Sequence, residues 1–175
     1  MEILNHENLY QRVIEEIVLE AKQRVWIVTA NLKDMYIKAW RGYKPILDEF
    51  NRMANQGVSF RVVHADKMST SFTKTLSEYP VLQKNLEIQI CPRSHWKMII
   101  VEGKAAYFGS ANFTGAGLGV KNENIRNLEI GALCTSKDKT DKEQIAQLEV
   151  LFDNFWMGEH CIHCERRKYC ASPIA

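Results

Sequence analysis

The chain has 175 residues, 23 Lys and Arg against 21 Asp and Glu, and a formal charge of +2 at neutral pH. That length suits one domain with a sizeable core, and the near-balance of charge gives no bulk argument for or against a polyanionic partner. The early acids and short apolar runs of MEILNHENLYQRVIEE exclude a signal peptide or a membrane span, so a cytoplasmic protein without a membrane partner is expected. Five cysteines, three of them in the last fifteen residues, do not resemble a secreted disulfide framework.

In chain order, Leu9, Val13, Ile14, Ile17, Val18 and Ala21 recur at helical spacing between Glu7 and Gln23, with Asn5 or Asn8 as the cap. Arg24 to Thr29 is a β-branched run suited to a strand buried on both faces, and Ala30-Asn31-Leu32 begins a loop. Lys33 to Lys44 mixes Tyr36, Trp40 and Tyr43 with Lys33, Lys38, Arg41 and Lys44. Aromatic faces among cations suit stacking on bases and pairing with phosphates, so Tyr36, Trp40, Arg41 and Lys44 are candidate substrate-binding residues; aromatics packing into the core at a helix start is the alternative. Pro45 opens a helix over Ile46 to Gln56 that Gly57 stops. Val58 to His64 is a strand closed by His64, Ser69 to Lys84 carries a short helix limited by Pro80, and Leu86 to Ile90 is the next strand.

Cys91 to Asn112 then reads as two short strands joined at Glu102-Gly103-Lys104, with His95, Lys97, Ile99 and Val101 on one side of the first. The second strand, Ala105 to Phe108, runs into Gly109-Ser110-Ala111-Asn112. A nucleophile or base, a fixed cation and two neutral hydrogen-bonding groups are what phosphoryl chemistry requires. The Gly- and Asn-rich stretch from Phe113 to Asn127 is a functional loop rather than a connector and lacks the GxxxxGK[ST] of a nucleotide-binding loop. Asn127 to Cys134 is a strand and Asp141 to Met157 a closing helix. The order β-α-β-α-β-β-β-β-α implies a mixed β-sheet flanked by helices, an α/β fold.

His95-Trp96-Lys97, four residues, Glu102, six residues, and Gly109-Ser110-Ala111-Asn112 together resemble the HxKx4Dx6GSxN signature of the phospholipase D superfamily. The one departure is Glu102 in place of Asp, at the hairpin end, where it bears on turn geometry more than on chemistry. The resemblance extends to about Gly158, which divides the chain into a phospholipase D-like catalytic domain, 1–158, and a Cys/His-rich tail, 159–175. It implies a phospholipase D-like fold and metal-independent hydrolysis of a phosphodiester through a covalent phosphohistidine on His95. Lys97, Ser110 and Asn112 then hold the phosphoryl oxygens, and Glu129, in the stretch Asn127-Leu128-Glu129-Ile130-Gly131, orients the imidazole. HxK occurs once, so the acid for the leaving oxygen is expected from His95 of a second subunit, in a homodimer with one composite site.

Short single-motif members of that family are mostly nucleases, and the aromatic and basic stretch at Tyr36 to Lys44 favours nucleic acid. An endonuclease acting on DNA or RNA is therefore the expectation. A phospholipase D-type lipid or small-phosphodiester hydrolase, and a nucleic-acid-binding module without turnover, are the alternatives.

The tail places Cys161, Cys164 and Cys170 in a Cx2Cx5C pattern that can direct three thiolates at one metal. A fourth ligand would come from His160, His163, Cys91 or Cys134. Structural zinc, an iron–sulfur cluster, and free or disulfide-linked cysteines are the three readings; none is needed by the chemistry.

Overall fold

Val25, Ile27 and their neighbours Trp26 and Val28 alternate along the run at Arg24 to Thr29, and both faces of that strand are apolar because helices cover both. The computed structural model describes residues 1–171. Its strands are β1 (Glu2–Asn5), β2 (Arg24–Thr29), β3 (Tyr36–Lys38), β4 (Tyr43–Pro45), β5 (Ser59–His64), β6 (Leu86–Ile90), β7 (Met98–Val101), β8 (Ala105–Gly109) and β9 (Ile130–Thr135). Seven form one sheet in the order β1-β9-β8-β7-β2-β5-β6, while β3 and β4 pair separately. The β2, β5 and β6 strands are parallel, whereas β2 meets β7, and β7, β8, β9 and β1 meet one another, antiparallel. The sheet is thus mixed, as the element order implied.

One sheet face carries Val25, Ile27, Ile99, Val101 and Tyr107 and is covered by the helix at Tyr10–Val18, by α1 (Ile46–Asn55) and by α2 (Thr70–Ser77) and α3 (Pro80–Asn85). The other carries Trp26, Val28, Met98, Ile100 and Ala106 under Ile145 and Phe152 of α4 (Lys139–Trp156). Trp26 stacks on Phe152 at 4.9 Å between ring centroids, which anchors α4 to the central strand.

Several elements differ from the expectation. The first helix is short and wide, with Leu19 N–H donating to Ile14 C=O at 2.9 Å, a five-residue step, and no side chain caps it. Asn5 and Asn8 are spent instead on the turn that links it to the unforeseen edge strand β1, where Asn5 Oδ1 accepts from Glu7 N–H at 2.9 Å and Asn8 Oδ1 from Asn5 N–H at 3.0 Å. The stretch Lys33 to Lys44 folds back as a hairpin, because Gly42 takes a positive φ of 86° and lets Ala39 N–H reach its carbonyl. Pro80 starts a separate helix, α3, instead of merely limiting α2. The β7 strand starts at Met98 and β9 at Ile130, so His95, Lys97 and Glu129 lie in the approaches to strands and not within them.

His64 does close its strand, and it also braces the loop after β2: its Nε2 accepts the Leu32 N–H at 3.0 Å from a buried position. Burial pushes this imidazole below its ordinary value. An unfolded chain takes up the proton near pH ~6.5, whereas the folded one resists it, so His64 leaves stability intact above that pH and erodes it as pH falls below. Thermal melts from neutral pH to about pH 5.5 are expected to show a smaller drop for His64→Gln than for the native chain. An equal drop would remove His64 from this role.

Candidate active site

The antiparallel pairing of β2 with β7, of β7 with β8 and of β8 with β9 brings the ends of β2 and β8 and the approaches to β7 and β9 to the same end of the sheet. Thr29, Asn31, His95, Lys97, Ser110, Asn112 and Glu129 all fall there. None is a sequence neighbour of more than one or two others; sheet register alone assembles them. Gly109 N–H donates to Lys97 C=O at 3.1 Å, extending the β7–β8 ladder one step and fixing the HxK segment against the GSAN turn.

Asn112 is the most firmly placed of these side chains. Its Oδ1 accepts from Asn31 N–H at 3.1 Å and from the Thr29 hydroxyl at 3.3 Å, and that hydroxyl accepts Phe113 N–H at 2.9 Å. With Oδ1 committed inward, Nδ2 is left as the donor, the polarity a phosphoryl oxygen needs. Ser110 donates from Oγ to the Glu129 carboxylate and accepts Ile130 N–H at 3.1 Å. The other Glu129 oxygen accepts from Asn127 Nδ2 at 3.0 Å.

His95 is exposed, and Lys97 Nζ donates to its backbone carbonyl at 3.0 Å, which holds the ammonium against the HxK segment. Among the described residues no hydrogen bond joins His95 to Glu129. The structure pairs Glu129 with Ser110 and Asn127, because β9 is two strands away from β7, roughly 10 Å across the sheet. Glu102 lies at the opposite end of β7, where it pairs with Arg24 through a 2.7 Å hydrogen bond. The departure from Asp therefore concerns the hairpin end and is remote from the chemistry.

Two glycines make the close approach of β8 and β9 possible. A Cβ on Gly109 would stand 2.6 Å from the Gly131 Cα and from the Tyr107 hydroxyl, and one on Gly131 would stand 2.4 Å from Tyr107 Cε2. Tyr107 is the buried floor beneath both, and burial pushes its phenol up to about 12, so it is a neutral prop.

The hairpin β3–β4 stands beside the site. Tyr36 and Tyr43 line a groove of about 590 Å³ that runs past Lys33 and Lys121 to Asn112 and Asn127. Asp34 also lines it, its carboxyl pushed up by burial. Trp40 is 97% exposed at the hairpin tip, next to Arg41. Lys44 is turned away, paired with Asp48 at 3.0 Å and with Glu49, so its charge is committed within the fold. The sequence reading missed Thr29, Asn31, Tyr107 and Gly131; the one available signal was a threonine ending an otherwise apolar strand.

The tail cysteines Cys161, Cys164 and Cys170 all border one cavity against the segment after β6, although among the described residues no group of three or more His, Cys, Asp or Glu side chains is already arranged to hold a metal ion. Among those residues, too, no helix is long and apolar enough to cross a membrane.

A family model described as "Cardiolipin synthase, PLD-like domain" matches residues 14–156, most of the chain and all of the site. The chain belongs to the phospholipase D superfamily. It is an enzyme of that phosphodiester-cleaving family, and it has the phospholipase D-like α/β fold. Among solved structures, NucT from Helicobacter pylori superposes with a TM-score of 0.57 at 16% identity, over 87% of this chain and 95% of that one. The phospholipase D family member Nuc from Salmonella typhimurium gives 0.53 at 16% identity, over 87% and 93%. The archaeal chromatin protein TrmBL2, whose structure is described as showing a novel mode of DNA binding, gives 0.55 at 13% identity, over 89% of this chain and 52% of that one. No curated protein sequence matches. At these identities the superpositions bear on the fold, and the site rests on this chain's own residues.

Proposed function

We propose that this superfamily member is a metal-independent endonuclease that cleaves nucleic-acid phosphodiesters through a phosphohistidine on His95. The observation that carries the reading is the convergence of His95, Lys97, Ser110, Asn112 and Glu129 at one sheet end, where Asn112 also borders a groove lined by Tyr36 and Tyr43. A ring nitrogen of His95 attacks phosphorus as the bond to the leaving oxygen breaks, and that oxygen takes a proton. Water then attacks the phosphohistidine, the P–N bond breaks, and the imidazole is restored. Lys97 supplies a positive charge, and Asn112 Nδ2 a neutral donor, to the non-bridging oxygens. Glu129 is the carboxylate for the imidazolium. The exposed His95 ring, which makes no hydrogen bond among the described residues, reaches it by rotation toward the Ser110–Glu129 pair.

The proton for the leaving oxygen comes from His95 of a second subunit. Support for a two-fold homodimer lies in an uncovered apolar surface next to His95. Ile3 and Phe108 fall in one row across the sheet by register, on either side of the small buried Ala132, and Ile3 and Ile130 are each 63% exposed on that face. Phe108, Leu148 and Leu151 border the same depression as His95 and Lys97. Apolar side chains at this density beside a polar site suit a self-complementary contact.

Nucleic acid fits the groove better than lipid does, since Tyr36, Tyr43 and Trp40 offer faces for bases while Lys33, Lys121 and Arg41 offer charge. Trp40→Ala is expected to raise KM about tenfold with kcat little changed, from the loss of roughly 1–3 kcal/mol of stacking. Incubation with single-stranded DNA, duplex DNA, RNA and phosphatidylcholine in the presence of EDTA tests the substrate class. Cleavage of a nucleic acid is the expected result. Cleavage of the lipid alone, or tight nucleic-acid binding without cleavage, would overturn the reading in favour of a lipid hydrolase or a binding module respectively.

A further inference from the structure

Cys91 follows β6 directly, with its N–H donating to His64 C=O at 2.8 Å, and it stands four residues before His95. Across from it the tail folds back on two short turns, Glu159–Cys161 and Arg167–Tyr169. Cys170 donates from Sγ to Ile90 C=O at 3.3 Å, Gln89 Nε2 donates to Trp156 C=O at 3.0 Å, and Phe155 packs on both Trp96 and His160. The result is a cavity of about 220 Å³ on whose walls Cys91, Cys161, Cys164 and Cys170 all stand. These are four of the five cysteines in the chain.

The geometry separates the remaining candidates for a fourth ligand. Cys134 is buried elsewhere, donating to Gln144 Oε1 at 3.0 Å, and His163 borders a different depression with Glu165 and Arg166. His160 reaches the cavity, but its ring is packed on Phe155. Cys91 is left. Three further features suit thiolates at this place. The Cys161–Cys164 turn is closed by Cys164 N–H on Cys161 C=O at 3.2 Å, so two sulfurs leave one tight knuckle. Arg167 N–H donates to Cys164 C=O at 3.0 Å, so the chain turns again directly after Cys164 and is fixed on both sides of that sulfur. Arg93, Arg166 and Arg167 line the cavity and would offset the double negative charge of four thiolates on a divalent ion.

We propose that Cys91, Cys161, Cys164 and Cys170 form a four-thiolate metal centre that clasps the tail onto the segment carrying His95. Binding converts four thiols to thiolates, releases their protons, and draws the sulfurs in from the cavity walls to one centre. The chemistry is that of a structural Zn²⁺ or of an iron–sulfur cluster, and its role is positional. It joins residues seventy and more positions apart in sequence, and it holds the Cys91–Lys97 stretch, which lacks strand pairing of its own until Gly109 meets Lys97.

The test is elemental analysis with a visible absorption spectrum on full-length protein purified without a metal-affinity step. About one zinc per chain in a colourless sample, or iron with inorganic sulfide in a brown one, is expected, and the two outcomes distinguish the two occupants. Cys91→Ser and Cys164→Ser should each lose the metal, and Cys134→Ser should keep it. Should either variant fail to fold, alkylation of the native chain decides: Cys91 and the three tail cysteines should resist iodoacetamide until a chelator is added and then react together. A metal-free native protein, a Cys91→Ser protein that keeps its full metal content, or a Cys91 that alkylates before chelation would overturn the proposal. All these readouts are independent of cleavage, so their failure is distinct from failure of the nuclease reading.

Discussion

His95→Ala is expected to lower the rate of phosphodiester cleavage by roughly 10⁴-fold or more, the scale seen when a covalent nucleophile is removed, with its thermal melt nearly unchanged. The two halves of that result have separate causes. The imidazole is exposed, and among the described residues its side chain makes no hydrogen bond, so truncation leaves no cavity and no orphaned partner and should cost within about 0.5 kcal/mol. No neighbouring group takes over its role. Lys97 is a cation, Ser110 has its hydroxyl committed to Glu129 and Ile130, and Asn112 has its Oδ1 committed to Asn31 and Thr29. Cleavage assays alongside a melt check both halves. A variant that folds and still cuts at the native rate would remove His95 from the chemistry.

The second large effect concerns the apolar face. Ile3→Asp combined with Leu151→Asp is expected to yield a monomer and to slow cleavage by roughly 10²-fold or more, the usual contribution of a positioned general acid. Ile3 lies on β1, the edge strand three places from β7, and Leu151 on the outer side of α4 is 45% exposed. Neither touches the network around Asn112 and Glu129. Leu151 borders the depression that also holds His95 and Lys97, so the single Ile3→Asp variant is the arm in which a loss of rate reports a missing subunit and not a damaged site. Light scattering gives the oligomeric state and an oligonucleotide assay the rate; full activity from a proven monomer would defeat the composite site.

The HxK and GSAN residues were legible because their spacing encodes a hairpin. Alternation and a Glu-Gly-Lys turn are local properties, and the two ends of that hairpin necessarily meet. The central strands were legible for the same reason, β2 above all, whose continuous apolar run reflects burial on both faces. What could not be read was anything that depends on which strands become neighbours. Thr29 and Asn31 lie about eighty residues before Asn112, and only the pairing of β2 with β7 brings them beneath its amide. Glu129 falls at the right end of the sheet but two strands over, so its partners are Ser110 and Asn127 where the sequence suggested His95. Lys44 shows a different limit. Its charge looked available in a run of cations, and the acids that take it up are four and five residues onward, in the first turn of α1. Edge strand β1 had no periodic signature because four residues with one buried side chain are too few to show one.

The claim on which the rest depends is that phosphorus is passed to His95, and a rapid acid-free quench during turnover of an oligonucleotide, followed by peptide mass mapping, tests it most directly. A phosphoryl-linked nucleotide on the peptide carrying His95, stable to alkali and lost in acid, is the expected result. Turnover at the native rate with that peptide unmodified throughout, or with the adduct on another residue, would contradict it.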